Sequence, residues 1–186
     1  MPSDFGCHCD GCQYQYGDHL PHEDRAGPLE MEDNGSPILL VFQAPGEQEW
    51  VNRRPISSTK PRSAGNRLKN IFALLGKARE SYNITNAVQC FPGKKPTVNG
   101  NKPRDRVPSA SARRSCVQWL RNDLEAREYT KVIVFGAIAR KAVESIVGKA
   151  DGRFEYLRHP TGGISTARLC QALGGEWTPP REVASD

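Results

Sequence analysis

Residues 38–46 read ILLVFQAPG, five apolar residues followed by a polar residue and a turn. A continuous apolar run of this length, closed by turn-forming residues, is typical of a strand that is covered on both faces, as the strands of a parallel sheet are. Three more strands are predicted, a second apolar run at residues 131–135 and two short strands at residues 82–88 and 154–157. Because segments of helical periodicity lie between them, the sequence predicts an α/β fold with three layers, α/β/α, around a central, mostly parallel sheet of about four strands.

A length of 186 residues fits one domain with a sizeable core. The first 36 residues are acidic and show little periodicity, which favours irregular structure. We therefore expect residues 1–36 to form a cysteine-containing segment packed on the domain. Residues 37–175 would form the domain itself, and residues 176–186 a C-terminal tail.

The composition is that of a soluble globular protein rather than a disordered one, because 37% of the residues are hydrophobic and 25% are charged. No stretch reaches the apolar length needed to cross a membrane, and the first residues lack the basic and apolar blocks of a signal peptide. We expect a monomer without a membrane partner. It would be cytoplasmic and associated with the nucleoid, or nuclear in a eukaryote.

The net charge of +5 is unevenly distributed along the chain. Residues 1–36 carry eight carboxylates and one basic side chain, whereas residues 53–69 carry six basic side chains and no acidic one. Residues 94–114 carry seven basic side chains and a single acidic one, Asp105. Concentrated positive charge favours a polyanion such as DNA or RNA, although two solvated loops rich in lysine and arginine would give the same pattern.

Polar groups follow three of the predicted strands directly. They are QAPGE at residues 43–47, TNAVQC at residues 85–90 and RHPT at residues 158–161. The carboxyl ends of parallel strands lie at one edge of the sheet, where ligands of open α/β sheets bind. The sequence therefore predicts that these three segments converge on one site.

The same segments carry a resemblance to a known family. The matching stretches are VFQAPGEQE (41–49), RP (54–55) with AGNRL (64–68), ITNAVQCFP (84–92), CVQWL (116–120), VIVFGAIA (132–139) and HP (159–160). In this order, between about residues 39 and 160, they resemble the iron–sulfur uracil-DNA glycosylases of family 4 and their close relatives. The resemblance implies a uracil-DNA glycosylase-like fold and DNA as the partner.

The resemblance also implies a base-excision repair reaction, in which a damaged nucleotide is extruded from the DNA and its N-glycosidic bond is hydrolysed. Uracil or a related deaminated base would be the substrate. In such an enzyme Asn86 reads the base, and His159 stabilises the negative charge on the departing base. The substrate-binding residues that the resemblance implies are Ala44, Pro45, Gly46, Ile56 and Asn86, with Ile56 where the family often has a stacking phenylalanine.

The chain departs from the family at Gln43, where a glutamate is usual. A glutamine cannot act as a general base, but its carbonyl can orient a water molecule. Two functions are therefore compatible with the sequence. One is a glycosylase with Gln43 and His159 as its catalytic residues, and the other is a DNA-binding, base-sensing module of the same fold with weak or no turnover.

Six cysteines without an export signal argue against a disulfide framework. The resemblance implies a [4Fe–4S] cluster, for which the ligands would be Cys9, Cys12, Cys90 and Cys116. Cys7 is an alternative to Cys9 as the first ligand. The rival ligand set binds zinc through Cys9, Cys12, His19 and His22.

The two basic segments supply the candidates for contacts with DNA phosphates. They are Arg53, Arg54, Lys60, Arg62, Lys94, Lys95 and Arg104.

Overall fold

The computed structural model describes residues 9, 12–14, 20, 26–96, 103–148 and 152–175. The predicted tail at residues 176–186, and Cys7, His19 and His22 of the alternative ligand sets, lie outside these described residues.

Four parallel strands form a single sheet in the order β2-β1-β3-β4. The strands are β1 (Ile38–Phe42), β2 (Asn83–Asn86), β3 (Lys131–Phe135) and β4 (Phe154–Leu157). Three of them have the predicted bounds, and β2 is shorter than the strand predicted at residues 82–88. The prediction of a four-stranded parallel sheet is confirmed.

Helices cover both faces of this sheet. They are α1 (Glu47–Val51), α2 (Ala64–Leu74), α3 (Ala110–Ser115), α4 (Val117–Glu125), α5 (Ala137–Val147) and α6 (Thr166–Ala172), with a 3₁₀ turn at Arg79–Ser81 before β2. Helices α3 and α4 meet at Cys116, which ends the first and begins the second. Helix α1 was not predicted, because five residues are too few to show a helical period.

Side chains of β1 alternate between two cores. Leu40 and Phe42 pack in the core beneath α2 and α6, whereas Leu39 and Val41 pack in the core beneath α4 and α5. Because successive side chains of a strand point to opposite faces, β1, β2 and β3 bury both of their faces, whereas the edge strand β4 is partly buried. This arrangement confirms the three-layer α/β/α prediction.

Residues 26–36 of the N-terminal segment run along the outer edge of β2. Glu32 pairs with Ile84 in an antiparallel bridge, and the Leu29 N–H donates to the Gln89 carbonyl at 2.7 Å. Glu32 also accepts hydrogen bonds from Arg54 and Arg79. Although burial opposes it, these bonds lower the pKa of Glu32 to about 2.

No helix among the described residues is long and apolar enough to span a membrane.

Candidate active site

A cavity of about 770 Å³ opens at the edge of the sheet where the strands end. The turn after β1, the loop between α1 and α2, the hairpin after β2 and the turn after β4 form its walls. The predicted site residues that line it are Gln43, Ala44, Pro45, Gly46, Ile56, Lys60, Arg62, Lys94, Arg104 and His159. The structure thus brings together ten predicted residues from four separate segments.

The turn after β1 is fixed by the start of α1. The Gly46 N–H donates to Glu49 Oε2 at 2.6 Å, so the carboxylate of the third residue of the helix caps its first turn. Glu49 is buried, and burial raises its pKa, with a further increase from nearby Asp105. The capping bond holds the backbone of residues 44–46 in place at the cavity wall.

The loop between α1 and α2 is strained where it borders the cavity. Ile56 is buried and has a φ of 49°, in the left-handed region that β-branched residues rarely adopt. Gly65 packs against the same loop so closely that a Cβ there would lie 2.5 Å from the Ser58 carbonyl oxygen. Backbone strain of this kind persists only where the surrounding structure enforces it, and it is common at functional sites.

His159 follows β4 and packs against Phe42, with the ring centroids 6.4 Å apart and the ring planes at 82°. His159 Nδ1 lies 2.9 Å from the Thr161 hydroxyl oxygen and 3.4 Å from the Thr161 N–H, so Nε2 is the ring nitrogen without a partner among the described residues. Burial lowers the pKa of His159, which favours the neutral form. Arg67 fixes the turn by donating to the carbonyls of Pro160 and Ile164.

Asn86 is the last residue of β2 and lies opposite Phe42 in the register of the sheet. Neighbours in register project from the same face, so Asn86 lies on the side of the sheet that carries Phe42 and His159. Its side chain is 1% exposed and is not part of the cavity wall. Among the described residues, neither Nδ2 nor Oδ1 of Asn86 has a hydrogen-bond partner.

The preceding residue, Thr85, projects to the other face and is fully paired. Its hydroxyl donates to Asp123 Oδ2 of α4 at 2.5 Å and accepts from Gln89 Nε2 at 3.2 Å. Gln89 Nε2 also donates to Asp123 Oδ2, at 2.9 Å. Burial raises the pKa of Asp123 to about 6. The network fixes the chain on both sides of Asn86.

A hairpin after β2 brings charged groups over the turn after β1. Lys94 and Asp105 form an antiparallel bridge, and Lys94 Nζ lies 2.7 Å from Asp105 Oδ1 and 3.2 Å from Glu47 Oε2. A Cβ on Gly46 would lie 3.1 Å from Asp105 Oδ2. The cavity therefore holds carboxylates within reach of the segment that carries Gln43.

The predicted DNA contacts divide into engaged and unengaged side chains. Arg53 donates to the carbonyls of Gly27 and Pro28, and Arg54 forms an ion pair with Glu32. Lys94 forms ion pairs with Asp105 and Glu47. The exposed side chains without an ion pair among the described residues are Lys60, Arg62, Lys95 and Arg104.

The four predicted cluster ligands, Cys9, Cys12, Cys90 and Cys116, are all buried free thiols. Burial and then the neighbouring Cys12 and Cys9 raise the pKa of Cys116 to about 12. Burial raises the pKa of Cys90, and the three other thiols raise it further. Cys12, Cys90 and Cys116 belong to one buried cluster, and four thiolates are the ligand set that an iron–sulfur cluster takes. Within the described part of the chain, no group of three or more His, Cys, Asp or Glu side chains is placed so that it could hold a metal ion.

Sequence reasoning did not assign four residues that shape the site: Glu49, Arg67, Asp105 and Asp123. Glu49 was detectable, because a residue three positions after a turn glycine and before an apolar residue has the spacing of a helix cap. Asp105 stood out as the single acid of a basic segment. The other two act through contacts between residues distant in sequence, for which the chain gives no local signal.

Comparisons with known proteins agree with the resemblance. A family model described as the uracil DNA glycosylase superfamily matches residues 30–176. A type-4 uracil-DNA glycosylase of Pyrobaculum aerophilum is 27% identical over 112 residues, which are 60% of this chain and 50% of that protein. A type-5 uracil-DNA glycosylase of the same organism is 30% identical over 137 residues, 67% of this chain and 55% of that protein.

A second type-4 uracil-DNA glycosylase, from Archaeoglobus fulgidus, is 27% identical over 106 residues, which are 57% of this chain and 46% of that protein. The chain thus spans about half the length of the curated relatives that it matches.

Proposed function

The chain belongs to the uracil-DNA glycosylase superfamily, and on that premise we propose that it removes uracil or a related deaminated base from DNA by hydrolysing the N-glycosidic bond. The relatives named as uracil-DNA glycosylases support this proposal. So does a cavity with basic side chains at its rim, since DNA is a polyanion.

The unpaired amide of Asn86 is the observation that carries the proposal. A buried amide without partners costs free energy, and a base that completes its hydrogen bonds would offset that cost. A carboxamide can donate to uracil O4 and accept from N3–H, whereas cytosine presents the reverse pattern. Because Asn86 lies behind the cavity wall, a flipped base would have to enter more deeply than the open cavity to reach it.

His159 would stabilise the leaving base. A neutral ring with its proton on Nε2 can donate a hydrogen bond to uracil O2, where negative charge collects as the bond to the sugar breaks. The Arg67 contacts and the turn at Gly162, whose N–H donates to the His159 carbonyl at 2.7 Å, would hold the ring in place before reaction. A donor fixed in advance needs no reorganisation during the reaction.

Gln43, at the end of β1, would orient the attacking water through its side-chain carbonyl. The backbone of Ala44, Pro45 and Gly46 would shape the wall beside the sugar, and Ile56 would supply an apolar surface against the base. Lys60, Arg62, Lys95 and Arg104 would contact phosphates, since their side chains are exposed and form no ion pair among the described residues. The contribution of Arg53, Arg54 and Lys94 to DNA binding stays a prediction.

A [4Fe–4S] cluster would be held by Cys9, Cys12, Cys90 and Cys116. The burial and mutual influence of these thiols support the assignment over zinc, because a zinc site made from the N-terminal cysteines and histidines leaves Cys90 and Cys116 without a role. Such a cluster would supply a covalent link between the N-terminal segment, the chain after β2 and the junction of α3 and α4. We expect the protein to act as a monomer in the cytoplasm, on the nucleoid, or in the nucleus of a eukaryote.

A cleavage assay tests the proposal. Single- and double-stranded oligonucleotides carrying uracil, hypoxanthine or xanthine are incubated with the purified protein, and abasic sites are detected by alkaline cleavage. We expect cleavage of at least one substrate and its loss in the His159→Ala variant. Cleavage that is unaffected by this variant would contradict the assigned site.

A second candidate function rests on Gln43, which cannot act as a general base. It is a DNA-binding, base-sensing module without turnover. The Gln43→Glu variant separates the two candidates. A large gain of activity over an inactive parent would identify the natural protein as a binding module, whereas an active parent would show that the glutamine is compatible with catalysis.

A further inference from the structure

The cavity lacks a general base at Gln43, yet three carboxylates line it: Glu47, Glu49 and Asp105. A general base needs a carboxylate oxygen that can reach the water to be deprotonated. The three groups differ in what their oxygens already bind, and this difference decides which of them is available.

Glu49 and Glu47 are the less suitable groups. Glu49 is buried, and its Oε2 accepts the Gly46 N–H at 2.6 Å, so the group is committed to capping α1. The Glu47 side chain is 49% exposed and the Asp105 side chain 43%, and both contact Lys94 Nζ, but the contact of Glu47 is longer, at 3.2 Å from its Oε2. Glu49 is therefore committed to the helix, and Glu47 is held less closely by the lysine than Asp105 is.

Asp105 has the required arrangement. Its Oδ1 lies 2.7 Å from Lys94 Nζ, so one oxygen is held by a cation. Its Oδ2 lies 3.1 Å from the position that a Cβ on Gly46 would occupy, directly over the turn that begins with Gln43. Oδ2 accepts no hydrogen bond from any described residue. Glycine at position 46 leaves space beside this oxygen, and a larger side chain would fill it.

We propose that Asp105 is the general base of this protein and replaces the carboxylate that Gln43 does not supply. The inference rests on the proposed glycosylase function. Water attacks C1′ of the deoxyribose and gives a proton to Asp105 Oδ2, and a C–O bond forms as the C1′–N bond breaks. The electron pair of that bond leaves with the base, whose negative charge His159 stabilises before the base takes up a proton. Lys94 is the positioning residue that orients the carboxylate.

The test compares Asp105→Asn with wild-type protein in single-turnover cleavage of a uracil oligonucleotide, with DNA affinity measured by fluorescence anisotropy. We expect the rate to fall by about 100-fold or more, because general-base catalysis contributes about 10²–10⁴-fold, while DNA affinity changes little. Glu125→Gln on the exposed face of α4 is the matched control and should keep the wild-type rate. Thermal melts establish that both variants are folded.

Two rescue experiments distinguish a base from a merely structural carboxylate. The double variant Asp105→Asn/Gln43→Glu places a glutamate at the family position. It should cleave at least about tenfold faster than Asp105→Asn. Formate should likewise raise the rate of Asp105→Ala, since a small carboxylate can enter the space that the side chain leaves, and it should not affect Glu125→Ala.

The inference is overturned if Asp105→Asn cleaves at the wild-type rate, or if its loss of activity is matched by a loss of DNA affinity and neither rescue works. These results leave the proposed function intact, because the wild-type protein is active in both cases. Wild-type protein that binds DNA and cleaves none of the three deaminated bases would overturn the proposed function, and the inference with it.

Discussion

Thr85 and Asn86 are neighbours at the end of β2 and both are buried, but their side chains differ in whether they have hydrogen-bond partners. The Thr85 hydroxyl is paired with Asp123 and Gln89 on the face covered by α4. The Asn86 amide, on the face that carries Phe42 and His159, has no partner among the described residues. Satisfied buried polar groups stabilise a fold, whereas an unsatisfied one costs free energy unless a ligand completes it. One strand end thus holds a structural group and a binding group side by side.

This comparison predicts opposite responses to substitution. Removing the unpaired amide should affect activity and leave the free energy of unfolding unchanged or higher. Removing a member of the paired network should lower the free energy of unfolding and leave the chemistry of the folded molecules intact.

The largest expected effect is that of Asn86→Ala on catalysis. Loss of a preorganised hydrogen-bonding group at a reacting centre costs about 10²–10³-fold in rate, and we expect a loss of this size in single-turnover cleavage of uracil DNA. The melting temperature should not fall, because no hydrogen bond within the protein is lost. A variant that melts much earlier and cleaves normally would show that the amide is a structural group.

The next largest effect is that of Asp123→Ala on stability. The substitution leaves Thr85 Oγ1 and Gln89 Nε2 without their shared acceptor, which should lower the free energy of unfolding by about 1–3 kcal/mol in urea denaturation. Glu125→Ala, on the same helix and exposed, is the control and should have little effect. Equal free energies of unfolding for the two variants would show that the hydrogen bonds to Asp123 do not stabilise the fold.

Thr85→Val is expected to have a smaller effect, about 1 kcal/mol, because Gln89 still donates to Asp123 when the hydroxyl is gone. Its cleavage rate per folded molecule should stay close to the wild-type rate. A rate loss as large as that of Asn86→Ala would mean that the two neighbours do not act separately.

The buried carboxylate of Asp123 also predicts a dependence of stability on pH. Burial raises the pKa of Asp123 to about 6, so the folded state binds a proton that the unfolded state has released. The wild-type protein should therefore lose stability relative to Asp123→Asn as the pH rises from about 4 to about 6, and the difference should be constant above that range. Glu32, with a pKa of about 2, contributes in the opposite direction and cancels in the comparison. A difference in stability that is flat across this range would contradict the raised pKa.

The fold could be predicted from the sequence because each strand corresponds to a short stretch of sequence that is recognisable without tertiary information. The apolar runs of β1 and β3 gave their bounds directly, since strands buried on both faces need no alternation. The bounds of β4 also match the prediction, although this edge strand is only partly buried. Strand β2 was predicted too long, because residues 87 and 88 stay apolar and still donate to the carbonyls of Phe42 and Gln43 beyond its end. The positions of His159 and Gln43 at one cavity followed from the parallel topology alone.

What the sequence could not show is which polar groups are already paired. Arg53, Arg54 and Arg67 contribute to the basic segment at residues 53–69, yet all three are bound to carbonyls or to Glu32 within the protein. The unpaired amide of Asn86 and the free oxygen of Asp105 are likewise products of tertiary structure. Charge counted along the chain therefore overstates the positive charge that is available to DNA.

The most direct test of the central claim is NMR spectroscopy of the Asn86 side-chain amide, assigned by its absence in Asn86→Ala. The protein is titrated with an oligonucleotide carrying a 2′-fluorinated deoxyuridine that resists cleavage, and with the same oligonucleotide carrying thymidine. We predict that the Asn86 N–H resonances shift downfield and exchange more slowly with solvent only in the complex with the uracil oligonucleotide, because the base supplies the missing partners. Resonances that are identical in the two complexes would contradict the claim that this amide reads the base.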